Sequence, residues 1–296
     1  KIRNYIFSTT LFIMIIFIHM EVLPIYMLPV RSAFLLFILF SFVGWGAEVL
    51  YVGLFFEHKF VNRGFLNGPI CPIYGFGGAV ILLLPQALYS TWVPLFFCSL
   101  ILCTVVEYFI SWLLEKMFHT LWWDYSHYKL NIKGRVCLLN SFLFGLMGML
   151  GGHFIFPYAE YVVTAPPELY IRIISDVIAV ILSADIIVTV RQLVDFNTSM
   201  ERIKMLRETI HERFEHEEWF KDDSLAEMLR TVKEHIEIRK DAASQKLAER
   251  IEKFQKLKHT NIERFLKKFP TMKSVHYREE IKLFREKIRS RINSKH

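Results

Sequence analysis

The sequence predicts an all-α fold: a polytopic membrane domain of about six transmembrane helices over residues 1–195, then a cytoplasmic helical, coiled-coil-like tail over 196–296. Three observations lead there. Of 296 residues 53% are hydrophobic, and the long apolar runs all fall before residue 196; a soluble domain of this size carries fewer such runs. The charges part at the same place. Residues 1–195 hold 11 Lys/Arg and 11 Asp/Glu, whereas residues 196–296 hold 25 and 18, so the whole net charge of +7 lies in the tail. From Leu225 onward, apolar residues recur at steps of three and four.

The first expected span is KIRNYIFSTTLFIMIIFIHM, a basic tip before an apolar run of about 15 residues with no small-residue cleavage site after it. Pro24 and Pro29 interrupt the chain before the second span, 33–56. Further spans are expected at 73–90, 93–117, 137–160 and 169–195, each near the roughly 20 residues that the hydrocarbon core demands. Pro85 falls inside the third, where neighbouring helices must make good a lost hydrogen bond. With this count Lys1, Arg3, Lys59, Arg63, Lys116, Lys129, Lys133 and Arg135 share a side with the tail, against Arg31 and Arg172 opposite. The positive-inside rule places the richer side, with both termini, in the cytoplasm.

In the tail, Leu225, Leu229, Val232, Ile236, Ala243, Leu247, Ile251 and Phe254 form a seam that only Arg239 interrupts. Such a seam suits a coiled coil and offers a route to a homo-oligomer. Phe269-Pro270 ends it. A last helix presents Ile281, Phe284, Ile288 and Ile292 on one side and basic residues on the other, to pack on the coiled coil or lie on anionic lipid.

Polar residues inside apolar spans are costly and mark function or helix–helix adhesion. On the second span Ser41, Trp45 and Glu48 share a face. On the fourth, Ser99, Cys103, Glu107 and Ser111 make a polar stripe. On the sixth, Arg172 and Asp176 stand four apart and are expected to pair, while Asp185 sits near mid-helix. The loop KFVNRGFLNGPICPIYG sets Asn62 and Arg63 among tight turns, offering backbone amides and a guanidinium to an anion. The loop HTLWWDYSHYKLNIKGRVC is rich in interfacial aromatics, which leave Asp124, Ser126, His127 and Asn131 to be explained. A faint repeat runs through both: an acid (Glu48, Glu107), a loop with Asn, Gly and Arg ending in Cys (Cys71, Cys137), then a Gly-rich helix. The four cysteines fit no disulfide framework. There is no CxxC or HxxxH spacing, no GxSxG elbow and no Walker P-loop, so no metal or other cofactor is expected, and no nucleic-acid partner.

SFVGWGAEVLY, KFVNRGFLNGPICPIYGFG, VVEYFISWLLEKMF, LWWDYSHYKLNIKGRVCLLNSFLFGLMG and the tail's FPTMKS together resemble the ABC-transporter type IV permease family (CmpB-like) of bacterial membrane proteins. The pieces cover much of residues 41–152 and a point near 270. The resemblance implies a multi-pass inner-membrane permease component, with a separate ATPase subunit as partner. The chain itself shows no coupling feature for one, and the family supplies no catalytic residues.

The leading expectation is a membrane transport component. Its substrate-binding candidates are Glu48, Glu107, Trp45, Asn62, Arg63, Asp124, His127, Asn131, Arg135 and Asp185, in the cytoplasmic half of the bundle, with Arg63, Asp124 and Asn131 at the mouth. One rival is a membrane enzyme acting on a lipid head group, with Asp124 or His127 as base and Arg63 and Arg135 as anion clamps. Another is a scaffold that presents a self-associating coiled coil.

Overall fold

The computed structural model describes residues 29–54, 60, 62–220, 225–238, 242–256, 260–274 and 276–293. The first expected span lies outside them, as do Lys59, Arg239 and the side chains of Ala243, Phe254 and Ile292. The described chain is helical apart from one two-stranded hairpin. In order come α1 (Val30–Val52), α2 (Pro72–Leu82), α3 (Gln86–Tyr89), α4 (Trp92–Phe118), β1 (Asn131–Ile132), β2 (Val136–Cys137), α5 (Leu138–Leu150) and α6 (Phe156–Thr164). Then follow α7 (Glu168–Phe214), α8 (Leu225–Ile238), α9 (Ala242–Lys256), α10 (Thr260–Lys268) and α11 (Arg278–Asn293).

Four helices among the described residues are long and apolar enough to cross a membrane: α1, α4, the continuous run Leu138–Thr164, and α7. Their apolar side chains lie bare over long stretches, among them Phe97, Ile101, Val105 and Phe109 on α4 and Ile173, Val177 and Val180 on α7. Such a surface belongs against lipid. The third expected span, 73–90, does not form one helix. Its 11-residue α2 rises roughly 16 Å, about half the hydrocarbon thickness. Pro85 accounts for the break: it pushes Leu84 out of helical conformation, and Leu83 and Leu84 close the end with short bonds to Val80 and Ile81. Pro157 acts differently. It clashes with the carbonyl four residues back, and the chain accommodates it by a π-helical turn at Gly151–Ile155 rather than by a stop.

The chain divides into two compact units, Lys1–Met117 with Leu121–Arg191, and Phe118–Thr120 with Gln192–His296. In the first, α1 packs against α2 and α6. Gly75 and Gly78 bring α2 up to Phe37 and Phe40, leaving no room for a Cβ. Leu36, Phe40, Ile81, Leu95, Phe156 and Ala159 form the core. Arg31 on α1 pairs with Asp176 on α7 and donates to Ser175 Oγ at 3.0 Å. The expected Arg172–Asp176 pair is thereby replaced: Arg172 turns back to exposed Glu168 at 2.9 Å, because Arg31 satisfies Asp176 from a neighbouring helix.

In the second unit the tail's apolar seam is used at home. Leu225, Leu229, Val232, Ile236, Leu247 and Ile251 are buried, and α8 packs on α9 and α11, with α10 on α11. Met272 and Ser274 of the FPTMKS stretch are buried. Ser274 Oγ accepts from the amides of His276 and Tyr277, capping the entry to α11, and donates to His119 O at 2.7 Å. Tyr277 donates to Glu201 at 3.0 Å. Burial and that carboxylate push its hydroxyl up to about 12.

Candidate functional site

Two hydrogen-bonded loops position the polar residues of the membrane unit. The first, between α1 and α2, hangs on one carboxylate. Asp185 of α7 accepts from Asn67 N and Asn67 Nδ2 at 2.9 Å each, from Gly68 N at 2.7 Å, and from Thr189 Oγ1 at 3.2 Å. Asn67 Nδ2 also donates to Thr189 Oγ1 at 2.8 Å. Asn67 O accepts from Asn62 Nδ2 at 3.0 Å, and Asn62 Oδ1 accepts from Trp45 Nε1 and Gly64 N, both at 2.9 Å. Trp45, Asn62 and Asp185 therefore belong to one network that ties α1 and α7 to the loop. Arg63, half-buried in the middle of it, has no hydrogen bond or ion pair among the described residues.

The second loop, between α4 and α5, folds on its own polar side chains. Asp124 is buried and accepts from Ser126 N at 3.1 Å and from the Ser126 hydroxyl. Asn131 Nδ2 donates to Tyr128 O at 2.8 Å, and Gly134 N donates to Asn131 Oδ1 at 3.0 Å. β1 and β2 pair Asn131 with Cys137 and Ile132 with Val136, and the turn between them holds Lys133 and Gly134 at φ 53° and 68°. A Cβ on Gly134 would also come within 2.5 Å of Asp124 Oδ1. Gly134→Ala is therefore expected to lower stability by about 1 kcal/mol or more, read as a fall in apparent Tm of the detergent-purified chain. Arg135 pairs with Glu115 and lies 5.3 Å over the Tyr108 ring. His127 is exposed, with its ring 4.3 Å from that of Tyr128.

Between these loops the two intramembrane acids meet tyrosine hydroxyls. Glu48 accepts from Tyr74 Oη at 2.8 Å. Glu107, 3% exposed, accepts from Tyr125 Oη at 3.2 Å. The Tyr125 hydroxyl lies within electrostatic reach of both carboxyls, and of Tyr74. Burial, then the Glu107 carboxylate, pushes that hydroxyl well above the ordinary phenol range, so it stays a donor. The Asn140 side chain of α5 also approaches Glu107 and Tyr125. It leaves Glu107 Oε2 outside hydrogen-bonding geometry, buried and with no partner. Neither acid forms an ion pair with a cation among the described residues.

Tyr74, Tyr125, Asn67, Thr189 and Asn140 are the site residues that sequence reasoning missed. The repeat carried a signal for two of them. Cys71 and Cys137 stand at the N-caps of α2 and α5. Tyr74 and Asn140 each lie three residues beyond, and each meets the acid of its own half. No described group of three or more His, Cys, Asp or Glu side chains is arranged to hold a metal.

Comparison with known families adds one match. The model of the family described as "Putative ABC-transporter type IV" covers residues 35–190, more than half the chain. The chain belongs to this family. The matched region of this ABC-transporter type IV family member runs from α1 to the middle of α7 and so contains both acids, both loops and the Asp185 anchor. No curated protein and no solved structure matches the chain.

Proposed function

We propose that this protein is a permease-like transport component of a bacterial inner membrane. Residues 1–195 form its membrane domain and residues 196–296 a cytoplasmic tail, with both termini cytoplasmic. The polar site is Glu48, Tyr74, Tyr125 and Glu107, in the cytoplasmic half of the bundle, with Arg63 on the adjoining loop as a cation for the mouth. One observation carries the reading: two acids from different helices, both inside apolar sequence, come within reach of one tyrosine and have no counter-cation among the described residues. Burying a carboxylate is costly unless something neutralises it, and a partner that the fold does not supply is one that can come and go. The family description supports a transport context, and in that context we expect a separate ATPase subunit as partner. Assembly through the tail's apolar seam has less support, because the described seam residues are covered by helices of their own unit. The lipid-enzyme reading has less support: of its proposed groups, Asp124 is buried and accepts from Ser126, and Arg135 is engaged by Glu115 and Tyr108, which leaves exposed His127 and half-buried Arg63.

A thermal-shift screen of the purified full chain tests this, using alkali and alkaline-earth cations, polar metabolites, nucleotides and lipid head groups. A ligand at about one hundred times its Kd stabilises by about 2.7 kcal/mol, a shift of several degrees. The expected result is a ligand whose shift is lost in Glu48→Gln or Glu107→Gln, with the unliganded Tm of the variant unchanged. Ligand responses that survive both substitutions at full size refute the site.

A further inference from the structure

Glu107 carries a feature that the transport reading leaves unexplained. Its Oε1 receives the Tyr125 hydroxyl, but its Oε2 is buried with no hydrogen-bond partner among the described residues. On the same face of α4, Ser99 Oγ lies two turns before it and Ser111 Oγ one turn after; both are buried and also without a partner. A bare carboxylate oxygen between bare hydroxyls is expensive in a packed apolar setting. Two occupants fit an acid with no counter-cation: a metal cation on the oxygen, or a proton.

We propose that Glu107 is a proton-binding site, loaded on Oε2, within the transport site proposed above; the inference rests on that reading. Three features favour the proton. Hard cations gather six or more oxygen ligands, whereas only the Tyr125 hydroxyl and the Asn140 amide converge on this carboxyl among the described residues. The neighbours suit both protonation states. Tyr125 donates to Oε1 in either, and the nearby Asn140 amide, once turned into hydrogen-bonding geometry, can offer NH2 to the carboxylate or its carbonyl oxygen to the carboxylic acid. The Ser111 hydroxyl, able to accept and to donate, lies one turn nearer the end of α4 and gives the proton an onward partner. Loading converts carboxylate plus H+ to the neutral acid, and no electrons move.

The titratable groups around Glu107 come from several elements: Cys103 from α4 itself, Tyr125 from the second loop, and, beyond Tyr125, Glu48 and Tyr74, with Cys71 beside Tyr74. From α5 the neighbour is neutral Asn140. Asp185 of α7 is turned to Asn67 and Gly68 instead.

Infrared difference spectroscopy of the full chain in lipid nanodiscs, over a pH series in choline buffer, tests the assignment. The wild type is expected to show the carbonyl stretch of a buried protonated carboxyl, sensitive to deuteration and lost on alkalinisation. Glu107→Gln removes that band. Tyr125→Phe keeps the acid but removes a donor to its charged form, so the band persists to a pH higher by about one unit. Absence of the band at every pH, or a band unchanged in Glu107→Gln, overturns the proposal. Where Glu107→Gln yields no folded protein, Tyr125→Phe decides, and a band with wild-type titration overturns it. Quenching of the band by sodium or potassium in place of choline also overturns it, in favour of a metal cation. Each of those failures leaves the transport reading to the ligand screen, which does not depend on which ion neutralises the acid.

Discussion

Replacing Asp185 by Ala is expected to destabilise the protein by about 2–4 kcal/mol and to release the loop at residues 62–71. The four hydrogen bonds the carboxylate accepts include two from backbone amides, Asn67 N and Gly68 N. A donor deprived of its partner costs about 1–3 kcal/mol when it stays buried. The site is half-buried, so water recovers part of that, and the sum over four donors is cut to the range given. The loss travels further, since Asn67 also fixes Asn62, and Asn62 fixes Trp45. Asp185→Asn retains one acceptor oxygen and should lose about half as much. Apparent Tm in detergent and limited proteolysis of the loop read the two effects separately. An Asp185→Ala protein with wild-type Tm and an equally protected loop would mean that the carboxylate holds nothing.

The position of Asp185 shows where the sequence stopped speaking. A lone acid at mid-helix in an apolar run is legible as costly, and that holds for both Asp185 and Glu107. What separates them is the set of partners. Those of Asp185 include two backbone amides, 118 and 117 positions away along the chain, and backbone amides carry no residue-type signal. Those of Glu48 and Glu107 are tyrosines, which interfacial aromatic belts supply in any membrane protein, so Tyr74 and Tyr125 looked ordinary. Long apolar runs mark α1, α4 and the first part of α7, because length and hydropathy are properties of the segment alone; α7 itself runs on past the expected end at 195 to Phe214. Pro85 and Pro157 are the same residue type in similar surroundings, yet one stops a helix and the other passes through a π-turn. The choice depends on what packs beside the freed carbonyl, which the local sequence does not state. In the tail the step-of-three-and-four pattern correctly identified buried faces. The same pattern serves a seam between chains or a bundle within one, and the described residues use it for the latter.

Gly44→Ala should cost about 3 kcal/mol, the upper end of what an overpacked helix contact loses, while Gly46→Ala two residues away should cost nothing. The pair isolates one contact. A Cβ at position 44 would come within 2.5 Å of the Tyr74 ring, against its root rather than its flexible end. Room can be made only by moving α2 off α1 or by swinging Tyr74 out of its rotamer. A Cβ at position 46 meets nothing within 4 Å, and alanine is the better helix former by about 1 kcal/mol, so that variant should be neutral or slightly stabilised. The functional consequence separates them as well. Tyr74 donates to Glu48 at 2.8 Å, so displacing its ring strips the acid of its described hydrogen-bond donor without touching either carboxyl. Gly44→Ala should therefore lose ligand-dependent stabilisation in the thermal-shift screen as Glu48→Gln does, whereas Gly46→Ala keeps it. Equal Tm values for the two glycine variants would show that the α1–α2 contact is looser than the packing here requires. Equal ligand responses alongside a lowered Tm in Gly44→Ala would show instead that Tyr74 plays no part in the site.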